Sequence, residues 1–418
     1  MEEKRLGVYI HIPFCASKCA YCDFYSLAGN DELMDEYQAA LETHIRDSAE
    51  MMSSYYVDSV YFGGGTPSFF GAERICSILD TLKSSAQVLR SAEITVECNP
   101  DSVTKRALKM LRSAGVNRLS IGMQSANPEI LKLIGRRHTY KQVKLAMKCA
   151  REAGFENVSL DVIYGLPSQT KSDWADTLNK CMALKPEHIS CYGLKLEEGT
   201  PLCMQYADSP IMPSDDEQAD MYLYALETLE SYGFPQYEIS NFALPGHESR
   251  HNLKYWDMED YAGFGCAAHS YVNGLRYSFV RDIHAYINGI VSETDIIDEY
   301  EKIERFDRAA EYIMLAMRRK SGISKEEYRA VYRGNFAPLE VKLQEFRRKG
   351  WVEQEGDRWH FTGTGFLLSN LLIGALLEVQ AEERSTEVAP WMKETFDQVV
   401  EPKELPPGDD VFLRSRNI

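Results

Sequence analysis

Three cysteines lie close together near the N-terminus of this 418-residue chain. Cys15, Cys19 and Cys22 have the spacing C-x3-C-x2-C and follow an apolar, β-rich segment at residues 7–12. Three thiolates on one loop can bind three of the four irons of a cubane cluster, which leaves the fourth iron without a protein ligand. The spacing therefore predicts a [4Fe-4S] cluster on these cysteines, with one iron open to another molecule.

Two other interpretations of the cysteines remain open from these residues alone. Zinc prefers four closed ligands, and His11 would complete a Cys3His set. His11 also falls in the extended segment 8–12, so its ring can equally pack on one face of a strand. The chain has ten cysteines, so a short spacing can also arise by chance.

The composition limits the partners and the compartment. The formal net charge of −17 argues against general binding to nucleic acids or anionic membranes, and favours small molecules and proteins as partners. The N-terminus lacks the pattern of a secretory signal, and the apolar run 371–377 is too short to span a bilayer. Ten cysteines without an export signal predict reduced thiols and a cytoplasmic location.

From residue 6 to about 200, short β-rich segments alternate with longer helical patterns. Such alternation predicts an α/β fold of parallel strands joined by crossover helices, and six such units form a partial (β/α)6, TIM-like barrel. The predicted strands are residues 7–12, 57–62, 93–97, 118–123, 158–163 and 188–194. The predicted helices are residues 31–52, 71–84, 104–114, 127–134, 140–153 and 172–184.

Polar motifs follow the predicted strands at the ends where parallel barrels place their active sites. The segment 63–67 follows the second strand, Glu97 ends the third, Gln124 ends the fourth and Asp161 lies in the fifth. A glycine triplet can simply form a turn, and the other side chains can be ordinary polar groups at strand ends. Together they predict a site for a polar small molecule beside the cluster, because glycines let a ligand approach the backbone.

These motifs resemble the radical S-adenosylmethionine enzymes, and within them the group of the oxygen-independent coproporphyrinogen III oxidases and the HemW heme chaperones. The likeness extends from about residue 6 to at least residue 370. It implies that the amine and carboxylate of S-adenosylmethionine bind the open iron. It also implies that one electron from the cluster splits the sulfonium into methionine and a 5′-deoxyadenosyl radical, while the protein provides position and electrons.

The resemblance also assigns individual residues of this chain to S-adenosylmethionine. Tyr9 and Tyr21 match residues that contact the nucleoside region. The methionine end is assigned to Gly64, Gly65 and Thr66. The remaining positions that match family contacts are Glu97, Gln124, Arg136 and Asp161. Arg136 falls in a helical pattern, where an exposed charge would be the ordinary expectation.

Two departures from the oxidases favour the chaperones. The oxidase motif continues as C-x-C, whereas Cys22 is followed by Asp23 and Phe24 in this chain. The oxidases also have a substantial segment ahead of the cluster strand, and this chain begins only a few residues before that strand. Both features lead us to expect a heme chaperone.

The segment 251–256 reproduces the H-N-x-x-Y-W element of the heme chaperones. The imidazole of His251 is a natural axial ligand for heme iron, and Tyr255 and Trp256 offer flat apolar surface for a macrocycle. The glycine-rich run 261–270 resembles the continuation of this element in the family. By itself, such a string more often forms a capped turn with an aromatic anchor.

The expected organisation has four parts. Residues 1–240 form the barrel core, residues 241–300 extend it with the heme motif, residues 301–380 form a smaller helical, winged-helix-like domain, and residues 381–418 form a partly ordered acidic tail. In the third part we expect helices at 301–319, 325–333 and 339–349 and a two-stranded turn at 351–361. The basic run 347–349 is expected to be a solvated helix end and not a DNA contact.

The resemblance implies a heme chaperone that binds heme and S-adenosylmethionine, receives electrons from a donor and passes heme to acceptor hemoproteins. Nucleic acids are not expected as partners, and contact with a membrane is expected only through the acceptors. Two alternatives stay open. One is a coproporphyrinogen III oxidase, and the other is a radical enzyme acting on another tetrapyrrole or small molecule, with His251 purely structural.

Overall fold

The computed structural model describes residues 4–27 and 31–387, which belong to two compact units. The first unit extends to Tyr255 and resumes over Glu259–Lys302, and the second contains Trp256–Met258 and the chain from Ile303 onward. Residues 381–387 of the predicted tail continue a helix, and residues 388–418 of it lie outside the described residues.

Six parallel strands form the centre of the first unit, and each overlaps a predicted strand, although the third begins at Gln87, six residues before the predicted start. Every strand pairs in parallel with the next one along the chain, from the first to the sixth. The strands are β1 (Arg5–Ile12), β2 (Tyr56–Gly64), β3 (Gln87–Cys98), β4 (Arg118–Gln124), β5 (Val158–Tyr164) and β6 (His188–Gly193). The α/β, partial-barrel prediction is confirmed.

Helices connect these strands at the predicted places. Several begin at a Thr side chain that accepts a hydrogen bond from the first turn, as Thr104 does from the backbone N–H of Ala107. The helices up to β6 are α1 (Asp31–Asp47), α2 (Ala49–Met52), α3 (Pro67–Phe70), α4 (Ala72–Ser85), α5 (Lys105–Ala114), α6 (Pro128–Leu133), α7 (Tyr140–Glu152) and α8 (Lys171–Met182).

Further strands extend the parallel sheet on both sides to twelve strands. The added strands are β7 (Gln236–Glu238), β8 (Asn241–Ala243), β9 (Tyr261–Phe264), β10 (His269–Val272), β11 (Leu275–Phe279) and β12 (Ile297–Lys302). The order across the sheet is β12-β11-β10-β9-β1-β2-β3-β4-β5-β6-β8-β7, and β9 pairs in parallel with β1. The helices among them are α9 (Pro201–Tyr206), α10 (Asp215–Ser231), α11 (Arg250–Trp256) and α12 (Ile283–Val291).

The second unit combines helices with a small antiparallel sheet in the order β13-β15-β14, which gives the winged-helix-like pattern that was predicted. Its elements are α13 (Arg305–Ala316), β13 (Ile323–Ser324), α14 (Lys325–Tyr332), α15 (Ala337–Arg348), β14 (Val352–Glu355), β15 (Arg358–Phe361), α16 (Gly363–Leu367) and α17 (Ser369–Glu387). The helix predicted at 301–319 was wrong at its start, because residues 301–302 end the exposed strand β12. Among the described helices, none is long and apolar enough to cross a membrane.

One buried hydroxyl joins the end of β1 to the turn between β9 and β10. Tyr37 on α1 is fully buried, and its hydroxyl donates to the carbonyl of His11 at 2.8 Å. The same oxygen accepts from the backbone N–H of Cys266 at 3.2 Å. Two backbone groups from distant parts of the chain therefore depend on one side chain.

We expect Tyr37→Phe to lower the free energy of unfolding by about 1–3 kcal/mol, because it leaves a buried carbonyl and a buried N–H without their partner. Chemical denaturation followed by circular dichroism measures the change. The matched control is Tyr232→Phe, whose ring is 53% exposed and whose loss of a hydroxyl should change stability by less than about 0.5 kcal/mol. Equal denaturation midpoints for the two variants would contradict the proposed link.

Candidate functional site

The polar motifs meet in one cavity of about 400 Å³ at the carboxyl ends of the parallel strands. That volume lies within the range of small-molecule sites. The predicted residues that line it are Cys15, Cys19, Cys22, Tyr21, Gly64, Gly65, Thr66, Glu97, Gln124, Arg136 and Asp161. The predicted residues that do not line it are Tyr9, His251, Tyr255 and Trp256. We call this space the mouth cavity.

Backbone hydrogen bonds hold the cysteine loop over the mouth cavity. The N–H of Cys15 donates to the carbonyl of Leu27 at 3.0 Å, and the N–H of Leu27 donates to Pro13 at 2.8 Å. The N–H of Ala20 donates to the carbonyl of Ile134 at 3.1 Å. The loop is thus closed at its base and attached at its middle to the end of α6.

The glycine segment after β2 packs against the same loop. The N–H groups of Gly65 and Thr66 donate to the carbonyls of Ile12 and Phe14, each at 2.8 Å. A Cβ atom on Gly65 would lie 2.8 Å from both carbonyl oxygens, so only glycine fits. The hydroxyl of Thr66 lies 3.3 Å from the thiol of Cys15. These backbone groups therefore position the cysteines as well as facing the cavity.

Burial raises the pKa of the Cys19 thiol, and the nearby Arg136 guanidinium partly offsets that rise. Burial likewise raises the pKa of Cys22. Within the described part of the chain, no three His, Cys, Asp or Glu side chains are arranged around a single metal ion. Cluster thiolates bind separate irons, so they do not converge on one ion.

In this structure the imidazole of His11 contacts partners other than the three thiols. Its Nδ1 is 3.0 Å from the hydroxyl of Tyr9, and its Nε2 is 3.2 Å from the carbonyl of Tyr25. The ring is 4% exposed, and burial lowers its pKa to about 4. Its two nitrogens are therefore committed to other partners, as the strand-packing interpretation predicts.

Two carboxylates face the interior of the mouth cavity. Burial raises the pKa of Glu97 to about 7, and the charge of Asp161 adds to the effect. The hydroxyl of Tyr61 donates to Glu97 at 2.8 Å, and the N–H of Gly64 donates to it at 3.3 Å. The hydroxyl of Ser120 donates to both oxygens of Asp161, at 3.0 and 2.9 Å. Carboxylates held in this way favour a cationic ligand.

Arg136 lies in the loop after α6 and not inside a helix, which corrects the expectation of a helical position. Its guanidinium donates to the hydroxyl of Tyr21 from Nε at 3.1 Å and from Nη2 at 2.6 Å. Its Nη1 donates to Oδ1 of Asn99 at 2.6 Å. The side chain thus joins the cysteine loop to the end of β3.

Gln124 ends β4 with a φ of 59°, a backbone conformation that residues other than glycine rarely adopt. Its amide lies against the glycine two residues earlier, because a Cβ on Gly122 would be 2.7 Å from Nε2 of Gln124. Strained residues of this kind concentrate at functional sites. The side chain is 6% exposed and turned toward the cavity.

Sequence reasoning missed Arg118, whose guanidinium lines the mouth cavity although the residue is 1% exposed. Its Nε has no hydrogen-bond partner among the described residues. The signal was present in the alternation along β4, because residues 118, 120, 122 and 124 all line the cavity. Other lining residues that the sequence did not single out are Tyr61, Asn99, Ser190 and Tyr192.

His251 is fully buried on α11, and both ring nitrogens are hydrogen-bonded. Nδ1 lies 2.9 Å from the hydroxyl of Ser59, and Nε2 lies 2.8 Å from the hydroxyl of Tyr255. Burial lowers its pKa to about 3, so the ring is neutral. Iron ligation by His251 would require one of these bonds to break, and the predicted role remains a prediction. Trp256 ends the same helix.

A second cavity, of about 560 Å³, contains Tyr9 and Tyr255. We call it the aromatic cavity, because its walls include the rings of Tyr9, Phe24, Tyr25, Tyr255, Tyr261 and Phe279. Phe24 lines both cavities, and its side chain is 66% exposed. The segment that directly follows Cys22 therefore separates the two spaces.

Each of the two units matches a known protein family. Residues 9–181 match the radical SAM superfamily, and residues 303–368 match the HemN C-terminal domain. The coproporphyrinogen III oxidase HemN of Escherichia coli, described as a radical SAM enzyme, superimposes with a TM-score of 0.78 at 22% identity and covers 90% of both chains. At that identity the likeness shows the fold alone.

Curated relatives share more of the sequence. The heme chaperone HemW of Bacillus subtilis is 35% identical over 89% of this chain and 99% of its own length. The heme chaperone HemW of Lactococcus lactis is 34% identical over 88% and 97%, and that of Escherichia coli is 33% identical over 89% and 98%. With these identities over nearly the whole length, and with the three-cysteine mouth cavity in place, the chain belongs to the HemW family of the radical S-adenosylmethionine superfamily.

Proposed function

We propose that this protein is a heme chaperone, which binds heme and transfers it to acceptor hemoproteins while carrying a [4Fe-4S] cluster and binding S-adenosylmethionine. The observation that carries the proposal is the mouth cavity with its three thiols, in a chain that resembles heme chaperones over nearly its entire length. The acceptors themselves and the electron donor belong to the proposal, as does a cytoplasmic location.

The donor set of the mouth cavity fits a cluster. Three thiols stand on one short loop whose base is fixed by hydrogen bonds, and burial raises the pKa of two of them. A buried thiolate needs a compensating positive charge, which iron supplies. Cys15, Cys19 and Cys22 would hold the cluster, and the cluster would supply a single electron and one open iron.

The remaining walls fit a polar, cationic small molecule such as S-adenosylmethionine. The carboxylates of Glu97 and Asp161 face a sulfonium or an ammonium favourably. Arg136 and Gln124 offer N–H donors for a carboxylate or a purine, and Tyr21 offers a ring face. These residues would bind and orient the ligand.

The residue at position 24 argues against the alternative function, a coproporphyrinogen III oxidase. The resemblance to the oxidases requires a cysteine two residues after Cys22, and this chain has Phe24 there. Phe24 is largely exposed and lines both cavities, so this position offers a ring and not a thiol to the mouth cavity.

The first prediction concerns the cluster. Anaerobically reconstituted protein should contain about four irons and four sulfides per chain, and Cys22→Ser should lose most of both, because one iron loses its ligand. Iron and sulfide analysis with absorption spectra measures this. Cys149→Ser on α7 is the matched control and should retain the cluster. One zinc per chain without sulfide would refute the assignment.

The second prediction concerns pH. Because burial raises the pKa of Glu97 to about 7, its carboxylate is charged at pH 8 and largely neutral at pH 6. Asp161 and Tyr192 also face it, while Arg118, Tyr61 and the N–H of Gly64 favour its charged form. If the charged form binds cationic S-adenosylmethionine, the affinity should fall by about tenfold from pH 8 to pH 6.

Calorimetry on the reconstituted protein under anaerobic conditions measures that affinity. Glu97→Gln should bind more weakly at pH 8 and show a nearly flat profile. Glu129→Gln, an exposed residue in the first turn of α6, should keep the pH dependence of the unmodified protein. A tenfold fall that persists in Glu97→Gln would assign the titration to another group.

The third prediction separates chaperone from oxidase. With S-adenosylmethionine and a reductant, the reconstituted protein should not convert coproporphyrinogen III, because the fourth motif cysteine is missing. Loaded with hemin, it should transfer heme to an apo-globin, as followed by the absorption of the product. Appreciable protoporphyrinogen IX in anaerobic product analysis would decide for the oxidase.

A further inference from the structure

The aromatic cavity has the walls that a flat apolar macrocycle requires. Six aromatic rings line it, and Tyr255 of the H-N-x-x-Y-W element is one of them. Tyr255 and Tyr261 pack edge to face, with ring centroids 4.6 Å apart. Aromatic surfaces of this kind bury planar ligands with little loss of side-chain entropy. The volume of about 560 Å³ lies in the range of cofactor sites.

Two imidazoles line this cavity, and only one can reach a ligand. His11 is buried and uses both ring nitrogens, as described above. His269 at the start of β10 is exposed, and neither of its ring nitrogens has a hydrogen-bond partner within the described residues. Cys266, three residues earlier, is 0% exposed and does not line the cavity. His269 is therefore the lining imidazole that is suited to bind iron.

The hydrogen-bonded hairpin of β10 and β11 places Arg281 in the wall of the same cavity. His269 pairs with Ser278 of β11, the N–H of Phe279 donates to Ala268 at 3.0 Å, and the N–H of Ala267 donates to Val280 at 3.0 Å. Arg281, which follows directly, lines the cavity. The other charged lining residues are Asp23, Asp298 and Glu299. A ligand carboxylate thus has its favourable partner at Arg281.

We propose that the aromatic cavity is the heme site, where His269 would bind the iron and Arg281 would pair with a propionate. The proposal rests on the heme binding proposed above and names its residues. Tyr255 is then a wall of the site, and His251 positions it through the hydrogen bond of 2.8 Å. Phe24 lines both cavities, so the aromatic cavity adjoins the segment that follows Cys22.

Hemin titration of the full chain, with its cluster reconstituted, tests the proposal. His269→Gly should shift the Soret band and weaken binding by about tenfold or more, because the iron loses its imidazole. Added free imidazole should restore the Soret position of this variant. Arg281→Gln should weaken binding by a few fold without moving the band, since it removes one charge-assisted contact.

Two further variants make the outcome decisive. His284→Ala removes an exposed histidine of α12 that does not line the cavity, and should leave hemin binding unchanged. His251→Ala should retain the Soret position of the unmodified protein, although it loses two buried hydrogen bonds. In all variants the spectrum of the reduced cluster verifies that the mouth cavity is intact.

The failures can be told apart. A Soret band that is unchanged in His269→Gly but shifted in His251→Ala would overturn the assignment of His269 and return the iron to His251, while the chaperone function stands. Unmodified protein that binds no hemin would refute the proposed function itself.

Discussion

The close approach of Gly65 to the end of β1 is the constraint on which the mouth cavity depends. The glycine backbone lies so near the carbonyls of Ile12 and Phe14 that no Cβ atom fits between them. Two hydrogen bonds of 2.8 Å lock this contact, and the cysteine loop begins at the residue after Phe14. Cys15 is thereby held against Thr66, so the thiols take their place from a contact between two neighbouring strands.

A second feature that shapes the mouth cavity is a set of charged side chains on the parallel strands. Glu97, Arg118 and Asp161 all belong to strand segments in which most of the other residues are buried. A sheet covered by helices on one face can tolerate such charges only where the opposite face encloses a ligand or pairs them. The hydroxyls of Tyr61 and Ser120 donate hydrogen bonds to the carboxylates of Glu97 and Asp161. The Nε of Arg118 has no hydrogen-bond partner among the described residues, so the polar groups of the cavity are only partly paired. A polar ligand would complete the pairing of these charges.

The sequence predicted the parallel strands because their β-rich runs are separated by capped helices, and it predicted most of the mouth because parallel strands all end on one side. The resemblance assigned Tyr9 to the nucleoside region, and the structure places it in the wall of the aromatic cavity, since a strand residue beside the cluster loop can face either cavity. Arg118 was not predicted as a site residue because a charged side chain at the start of a strand is ordinarily exposed. The start of the helix predicted at 301–319 was wrong because β12 is an exposed edge strand whose charged residues resemble a helix.

The H-N-x-x-Y-W element is visible in the sequence, but the hydrogen bonds of its residues are visible only in the structure. His251 and Tyr255 are four residues apart on α11, so they share one face of the helix, and the imidazole bonds to the phenol. Ser59, far away in sequence on β2, takes the other nitrogen, which no local pattern reveals. A histidine with both nitrogens engaged orients its neighbour, whereas an exposed imidazole such as that of His269 can bind a metal. The motif therefore supports the wall of a site whose iron ligand comes from the following hairpin.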